Sequence, residues 1–385
     1  MKRSRIVFWQ PIPSPHLSSY MRNLAAMLPN SEIVAVFEQP LEETRIALGW
    51  VGPDLGRIQV VAPPNKQQIY KLASDGAAHS MHLLSDLRSP MIRQAFAVCA
   101  PTDALVGIMS EARDHRGIRG LLRLYHSLIS EHAYRARTEF VLAVGNLGIR
   151  WFQRTKYNPD RIFSWAYFVE QPVATFPPTD VDRDGITLTY VGQLIDRKGV
   201  DILLRALEQV RRTGWRLQLV GHGEASGALM RLARKLGIDR NIDFLGARPN
   251  TEVRQMLAQA DALILPSRFD GWGAVVNEAL MSGVPVICSD YCGAADLIES
   301  SHHGEVVKAG SVESLAAALA RTIDRGRLSL TARERIRRWS DCLEGANVAR
   351  YFLEIIRHCE EGGPKPTAPW CVASEVANQK HCGLH

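Results

Sequence analysis

Short runs of β-branched and aliphatic residues alternate along the chain with longer stretches whose apolar positions recur every three to four residues. That alternation is the pattern of βα units and predicts the α/β class with parallel sheets. In the first half it places strands at Arg5–Trp9, Glu32–Phe37, Arg57–Val61, Ala78–Leu83, Ala104–Met109, Phe140–Val144 and Ile162–Ser164, and helices near 17–28, 90–98, 117–135 and 147–155. Residues 170–185, rich in proline and aspartate without apolar period, read as a linker. A second set follows, with strands at Ile186–Val191, Arg216–Val220, Ile242–Leu245, Ala262–Leu265, Val284–Cys288 and Glu305–Val307. Its helices fall near 199–212, 225–236, 251–259, 273–282, 312–325, 331–340 and 344–360. The boundaries predicted are a first α/β domain over 1–170, a linker over 171–185, a second α/β domain over 186–343, a helix over 344–361 and a tail of low order over 362–385, with Trp370 as its candidate for docking.

Composition agrees with two domains. The chain has 385 residues, 46% of them hydrophobic, enough for two cores and against disorder. No apolar run approaches the roughly 20 residues of a membrane span. The apolar part of the N-terminus, Ile6–Trp9, is too short for a signal peptide and reads as a buried strand, so a cytoplasmic location is expected. The seven cysteines form no C-x2-C pair, and Cys288 and Cys292 lack further ligands nearby, so no metal site is expected.

The net charge is +6, and arginine is concentrated in "RDHRGIRGLLRLYHSLISEHAYRAR", residues 113–137. That segment reads either as a solvated helix face or as a basic surface meeting anionic lipid or phosphate. No nucleic-acid module is present, and nucleic acid is not expected as a partner.

Ligands of open α/β sheets sit beyond the carboxyl ends of the strands. In the second half four such ends carry candidate chemistry. After Val191 come Gln193, Arg197 and Lys198 beside a helix start that favours anions. After Val220 come Gly221, His222 and Gly223, where glycine lets a ligand approach the backbone. After Leu245 comes Arg248, a candidate for contact with a base. After Leu265 comes "RFDGWG", where Gly271 and Gly273 leave the N–H groups of Trp272, Gly273 and Ala274 open to an anion. Asp270 precedes that turn, and Glu278 follows about one and a half helical turns later, so both carboxylates can accept from sugar hydroxyls. In the first half, Ser14 and His16 follow the first strand, Glu111 ends another in "IMSEARDH", and His79 and His82 flank a third.

Four stretches, "GQLIDRKGVDILLRAL", "LVGHGE", "FLGARPNTEVRQMLAQADALILPS" and "FDGWGAVVNEALMSGVPVICSD", carry a resemblance to the retaining glycosyltransferases of family 4. The resemblance covers nearly the whole second half, with the motifs in the family's order and spacing. It implies the GT-B fold: two Rossmann-like α/β domains facing each other across a cleft, the first binding the acceptor, the second a nucleotide-sugar, and the last helix returning to the first domain. The family's E-x7-E motif falls on Asp270 and Glu278. Glu278 would then bind the ribose, Asp270 the transferred sugar, and Lys198 the departing diphosphate. Neither cofactor nor metal is implied.

Three positions depart from the family pattern. Asp270 is one methylene shorter than the usual Glu, Gln193 stands for the usual Arg, and Glu111 lies where many relatives place a His. The activity implied is transfer of a sugar from a UDP- or GDP-sugar to a glycan or lipid-linked glycan, as in bacterial surface-polysaccharide synthesis. Weak, salt-sensitive contact with the inner face of the plasma membrane is expected through the Arg-rich segment 113–137. A GT-B nucleotide-sugar epimerase and a binding scaffold without turnover stay open as alternatives.

Overall fold

The structure is a computed structural model that describes residues 3–41, 43, 46, 52–170, 185–298 and 303–372. The chain divides into two compact units, one built from residues up to Glu170 together with Leu343–Val372, the other from the stretch up to Cys342. Residues 171–184 of the expected linker and 373–385 of the expected tail lie outside the described residues.

The first unit is a seven-stranded sheet in which every pairing is parallel. Its strands are β1 (Arg5–Gln10), β2 (Glu32–Phe37), β3 (Gln59–Val61), β4 (Ser80–Ser85), β5 (Leu105–Glu111), β6 (Phe140–Val144) and β7 (Ile162–Trp165), in the order β3-β2-β1-β4-β5-β6-β7. Strands covered on both faces read as unbroken apolar runs, and all six residues of β1 are buried. The helices are α1 (Pro15–Met27), α2 (Lys66–Ser74), α3 (Pro90–Cys99), α4 (Gly117–Ser130), α5 (His132–Arg137) and α6 (Gly145–Arg154).

The second unit is a six-stranded sheet, again with every pairing parallel. Its strands are β8 (Ile186–Val191), β9 (Trp215–Val220), β10 (Ile242–Gly246), β11 (Ala262–Leu265), β12 (Val286–Ser289) and β13 (Gly304–Val307), in the order β10-β9-β8-β11-β12-β13. Its helices are α7 (Val200–Gln209), α8 (Ser226–Lys235), α9 (Asn250–Gln259), α10 (Val275–Met281), α11 (Val312–Arg325) and α12 (Leu330–Trp339). Helix α7 packs with α8 and α11, whereas α10 packs with α9 and α12, so the sheet is covered by two separate groups of helices.

The last helix, α13 (Gly345–Glu361), belongs to the first unit and packs along α1. Gly345 allows that approach, since a Cβ there would stand 2.3 Å from Ser19 Oγ. Phe352 of α13 lies at the centre of an aromatic cluster, with ring centroids 6.1 Å from Phe8, 6.4 Å from Tyr20 and from Phe140, and 5.9 Å from Trp165. The stretch 362–372, expected to be of low order, is packed. Trp370 is 2% exposed and its ring lies 5.9 Å from Phe168 and 6.0 Å from Tyr351. Burying so large an aromatic surface outweighs the ordering entropy of a short Pro-rich segment.

Three local expectations are corrected, and one helix is added. The helix expected over 117–135 breaks at Glu131, whose carboxylate turns inward to Arg113 at 3.2 Å and to the Tyr157 hydroxyl at 3.1 Å. Strand β3 starts at Gln59 rather than Arg57, because the Arg57 guanidinium caps the carbonyls of Ala25 and Leu28 at the end of α1. Strand β4 starts at Ser80, after a 3-10 turn over Ala77–His79. Helix α2 has few apolar positions and went unpredicted. Its start is marked instead by the reciprocal Asn65–Gln68 capping box.

Candidate active site

In the second sheet the connections diverge between β8 and β11: the chain leaves β8 for α7 and β11 for α10, which lie in different helix groups. A crevice at such a switch point is where open α/β sheets bind ligands. The loops after these two strands are fastened together. Arg268 N–H donates to the Arg197 carbonyl at 2.9 Å. The Arg268 guanidinium donates to both carboxylate oxygens of Asp201 at 2.7 Å and to the Asp196 carbonyl at 2.7 Å. Burial by itself raises the Asp201 carboxyl, but the hydrogen bonds and charge of Arg268 outweigh it and hold the group below the ordinary carboxylate range. Gly199, at φ +67°, has no room for a side chain, because a Cβ would stand 2.3 Å from the Pro266 carbonyl oxygen.

This clamp brings Lys198 to Asp270. Their Nζ and Oδ2 atoms are 2.5 Å apart, with the side chains 14% and 10% exposed. Arg197 stands beside them, donating to the Phe269 carbonyl at 2.9 Å and lying 3.7 Å from Asp270 Oδ1. Tyr190, the penultimate residue of β8, is buried and near enough to Asp270 that the carboxylate adds to the rise burial gives its phenol.

Beyond Asp270 the chain pairs briefly with the segment after β12. Asp270 N–H donates to the Tyr291 carbonyl at 2.8 Å, and Gly293 N–H to the Asp270 carbonyl at 3.0 Å. Gly273 takes φ +91° where a Cβ would meet Leu265 Cδ2 at 2.7 Å and Cys292 Sγ at 2.8 Å. The N–H groups of Trp272, Gly273 and Ala274 find no acceptor among the described residues. The Trp272 ring is itself core, 2% exposed, with Nε1 donating to Asn277 Oδ1 at 2.8 Å, so only its backbone faces the loop. Helix α10 is a two-turn segment that carries Glu278. Burial pushes the Glu278 carboxyl above its ordinary range, with Arg254 of α9 opposing the rise, and the side chain has no hydrogen-bond partner among the described residues.

The remaining candidates are less involved. Gly221 and Gly223 have no room for a side chain: their Cβ positions fall 1.9 Å from the Gly192 carbonyl oxygen and 2.3 Å from that of Leu194. Leu194 N–H accordingly donates to the His222 carbonyl at 3.0 Å, leaving the His222 side chain exposed. Gln193 is exposed, its carbonyl accepting from the Tyr190 hydroxyl at 2.8 Å. Arg248 is exposed and bound locally, donating to the Leu245 carbonyl at 3.1 Å and lying 3.5 Å from Glu252.

The first sheet has its own switch point, between β1 and β4, closed by a 2.7 Å hydrogen bond from Gln10 to Ser85. Ser14 caps α1, its hydroxyl accepting from His16 N–H at 3.3 Å. The His16 ring stacks on Tyr167 at 6.0 Å, and burial lowers its pKa to about 4. The Tyr167 hydroxyl bonds Glu111, at the end of β5. Three strand ends thus meet through Tyr167, which no motif had singled out. His82 belongs to the core, accepting from Trp9 Nε1 at 3.1 Å, while His79 lies in the turn before the strand.

Residues 175–339 match the family model for glycosyl transferases group 1. They cover the second unit almost whole, including Lys198, Asp270 and Glu278. Relatives similar over part of this stretch include a glycogen synthase of Mycobacterium tuberculosis, 34% identical over 139 residues, which are 36% of this chain and 34% of that protein. Another is the GDP-mannose-dependent alpha-(1-6)-phosphatidylinositol monomannoside mannosyltransferase of the same organism, 34% identical over 151 residues, 37% of this chain and 39% of that protein. The chain therefore matches little more than a third of the length of these relatives. In overall fold it is similar to Anabaena HepE, whose structure holds UDP and glucose: TM-score 0.65, 13% identity, 99% of this chain and 100% of that one. The resemblance to glycosyltransferases stands, and the two parallel α/β units are those of the GT-B fold.

Proposed function

We propose that the chain is a retaining, metal-independent glycosyltransferase of family 4 that moves a sugar from a UDP- or GDP-sugar to a glycan or lipid-linked glycan in surface-polysaccharide synthesis. It works in the cytoplasm, in peripheral contact with the inner face of the plasma membrane through the Arg-rich segment 113–137. The observation that carries the reading is the Lys198–Asp270 pair with three N–H groups in the same loop that lack acceptors among the described residues, followed by a half-buried Glu278 whose carboxylate has no hydrogen-bond partner there. Such a row of anion donor, polyol acceptor and cation suits a sugar joined to a nucleoside diphosphate.

In this mechanism the acceptor hydroxyl attacks the anomeric carbon on the side from which the diphosphate leaves. The bond to the β-phosphate oxygen breaks, and the hydroxyl proton passes to a phosphate oxygen. Lys198, Arg197 and the open N–H groups stabilise the charge that develops there. Glu278 accepts from the ribose and Asp270 from the sugar. Ser14, His16 and Glu111 belong to the acceptor side.

A thermal-shift panel of UDP, GDP, ADP and CMP with and without EDTA tests the donor site, since a ligand of the native state raises the midpoint by mass action. One nucleotide should raise it regardless of EDTA, and the shift should vanish in Glu278→Ala. A second reading, a scaffold without turnover, is favoured by the ion pair that engages both Lys198 and Asp270. It predicts a shift without product. Product analysis lacking acceptor separates the epimerase.

A further inference from the structure

Helix α4 is turned the opposite way from an ordinary surface helix. The positions it buries are Gly120 and Ser127, while Ile118, Leu121, Leu122, Tyr125 and Ile129 are 60–79% exposed. At 100° per residue these five fall within a stripe about 100° wide, the width that normally faces a core. The small side of the helix is fixed to the unit. A Cβ on Gly120 would stand 2.0 Å from the His115 carbonyl carbon, and Arg113 donates to Ser127 Oγ at 2.9 Å. Arg135 ties down the far end through the carbonyls of Ser127 and Leu128. The apolar stripe is therefore held outward by contacts on its opposite side. A contiguous exposed apolar patch of this kind marks an interaction surface.

The charge on the helix selects the partner. Residues 117–130 contain Arg119, Arg123 and His126, all exposed, and no acidic residue. Arg119 has no ion-pair partner among the described residues, and Arg123 donates only to the Asp114 carbonyl, at 2.7 Å. A second copy of the helix would set these cations against each other. An anionic bilayer would neutralise them and take the apolar side chains into its acyl boundary.

We infer that α4 is an interfacial anchor that lies in the plane of an anionic membrane with Ile118, Leu121, Leu122, Tyr125 and Ile129 inserted. The inference rests on the peripheral-contact reading above and adds that apolar insertion, beyond charge, holds the protein there.

The test is flotation of the full chain with phosphatidylcholine vesicles, alone or with about 30 mol% phosphatidylglycerol, at low salt and at about 0.5 M NaCl. Wild type should float with the anionic vesicles and keep part of its binding at high salt, because insertion is not screened. The variant Leu121→Ser/Leu122→Ser/Tyr125→Ser should fold normally by circular dichroism and partition about 100-fold more weakly or worse. Arg119→Gln/Arg123→Gln should lose roughly tenfold at low salt and little at high salt. If the triple variant floats like wild type, insertion is wrong while peripheral contact survives. If wild type does not float at low salt, both are wrong. If wild type fails to float and sediments as a dimer that the triple variant abolishes, the stripe belongs to a second copy.

Discussion

Lys198 and Asp270, 72 residues apart, form a 2.5 Å ion pair at the switch point of the second sheet. Each is the nearest counter-charge of the other, so any anion reaching Lys198 must compete with Asp270. Asp270→Asn should therefore strengthen binding of the bare nucleoside diphosphate, by about fivefold, while lowering transfer by about 100-fold, because the sugar loses its acceptor. Isothermal titration beside a steady-state assay separates the two effects. Unchanged diphosphate affinity would mean that the pair does not gate the site.

Lys198→Ala should cut kcat by about 100- to 1000-fold, the size of effect seen when one preorganised stabilising group is lost. It also leaves Asp270 with little solvent and only Arg197 nearby, so Lys198→Gln is the safer comparison for stability. Normal turnover in either variant would remove Lys198 from the mechanism.

Glu278 is ionised at a cost. Its folded-state pKa is raised, so its contribution to stability is most favourable below the unfolded value and is lost as pH rises through the folded one. Glu278→Gln should accordingly raise the Tm of the ligand-free protein at pH 8, with the gain fading toward pH 4, while nucleotide-induced stabilisation disappears. Melting curves across that range check both halves.

Arg268 acts at one remove. It touches neither Lys198 nor Asp270, but fastens the loops that carry them. Arg268→Ala and Asp201→Asn should each lower kcat by about 10- to 100-fold with a smaller change in KM, since misplacing the reacting groups costs rate more than binding. Because the pair holds the Asp201 carboxyl below its ordinary range, its stabilisation is present above the unfolded pKa and is lost as pH falls through the folded one. Wild type should lose this difference from Asp201→Asn in acid.

Gly273→Ala forces a side chain into a left-handed turn already bounded by Leu265 and Cys292. A loss of about 1–3 kcal/mol in denaturant melts is expected, together with weaker nucleotide binding.

The residues show why some of this could be read from sequence and some could not. The buried strands were legible because parallel strands covered on both faces leave continuous apolar runs, as in "RIVFWQ" and "ITLTYV". Lys198, Asp270 and Glu278 stood out as candidates because glycines and charges at strand ends break that pattern. Arg268 looked like any surface arginine, and its bidentate partner Asp201 lies 67 residues away in the chain. Tyr167 joins His16 to Glu111 only once three strands are aligned. Gly221 and Gly223 were read as letting a ligand approach; their Cβ directions also meet a neighbouring loop, a packing demand that spacing does not encode. The inversion of α4 escaped for the same reason: an amphipathic pattern shows that a helix has two sides, not which one faces the protein.

Phe352, at the heart of the first unit's aromatic cluster, has a consequence for the order of synthesis. Residues Phe8, Tyr20, Phe140 and Trp165 leave the ribosome long before the ring they surround. The stretch of the second unit that runs up to Cys342 is made by then and can settle first. The part of the protein made earliest is thus finished last, and a nascent chain stalled before α13 would present an open aromatic face to chaperones.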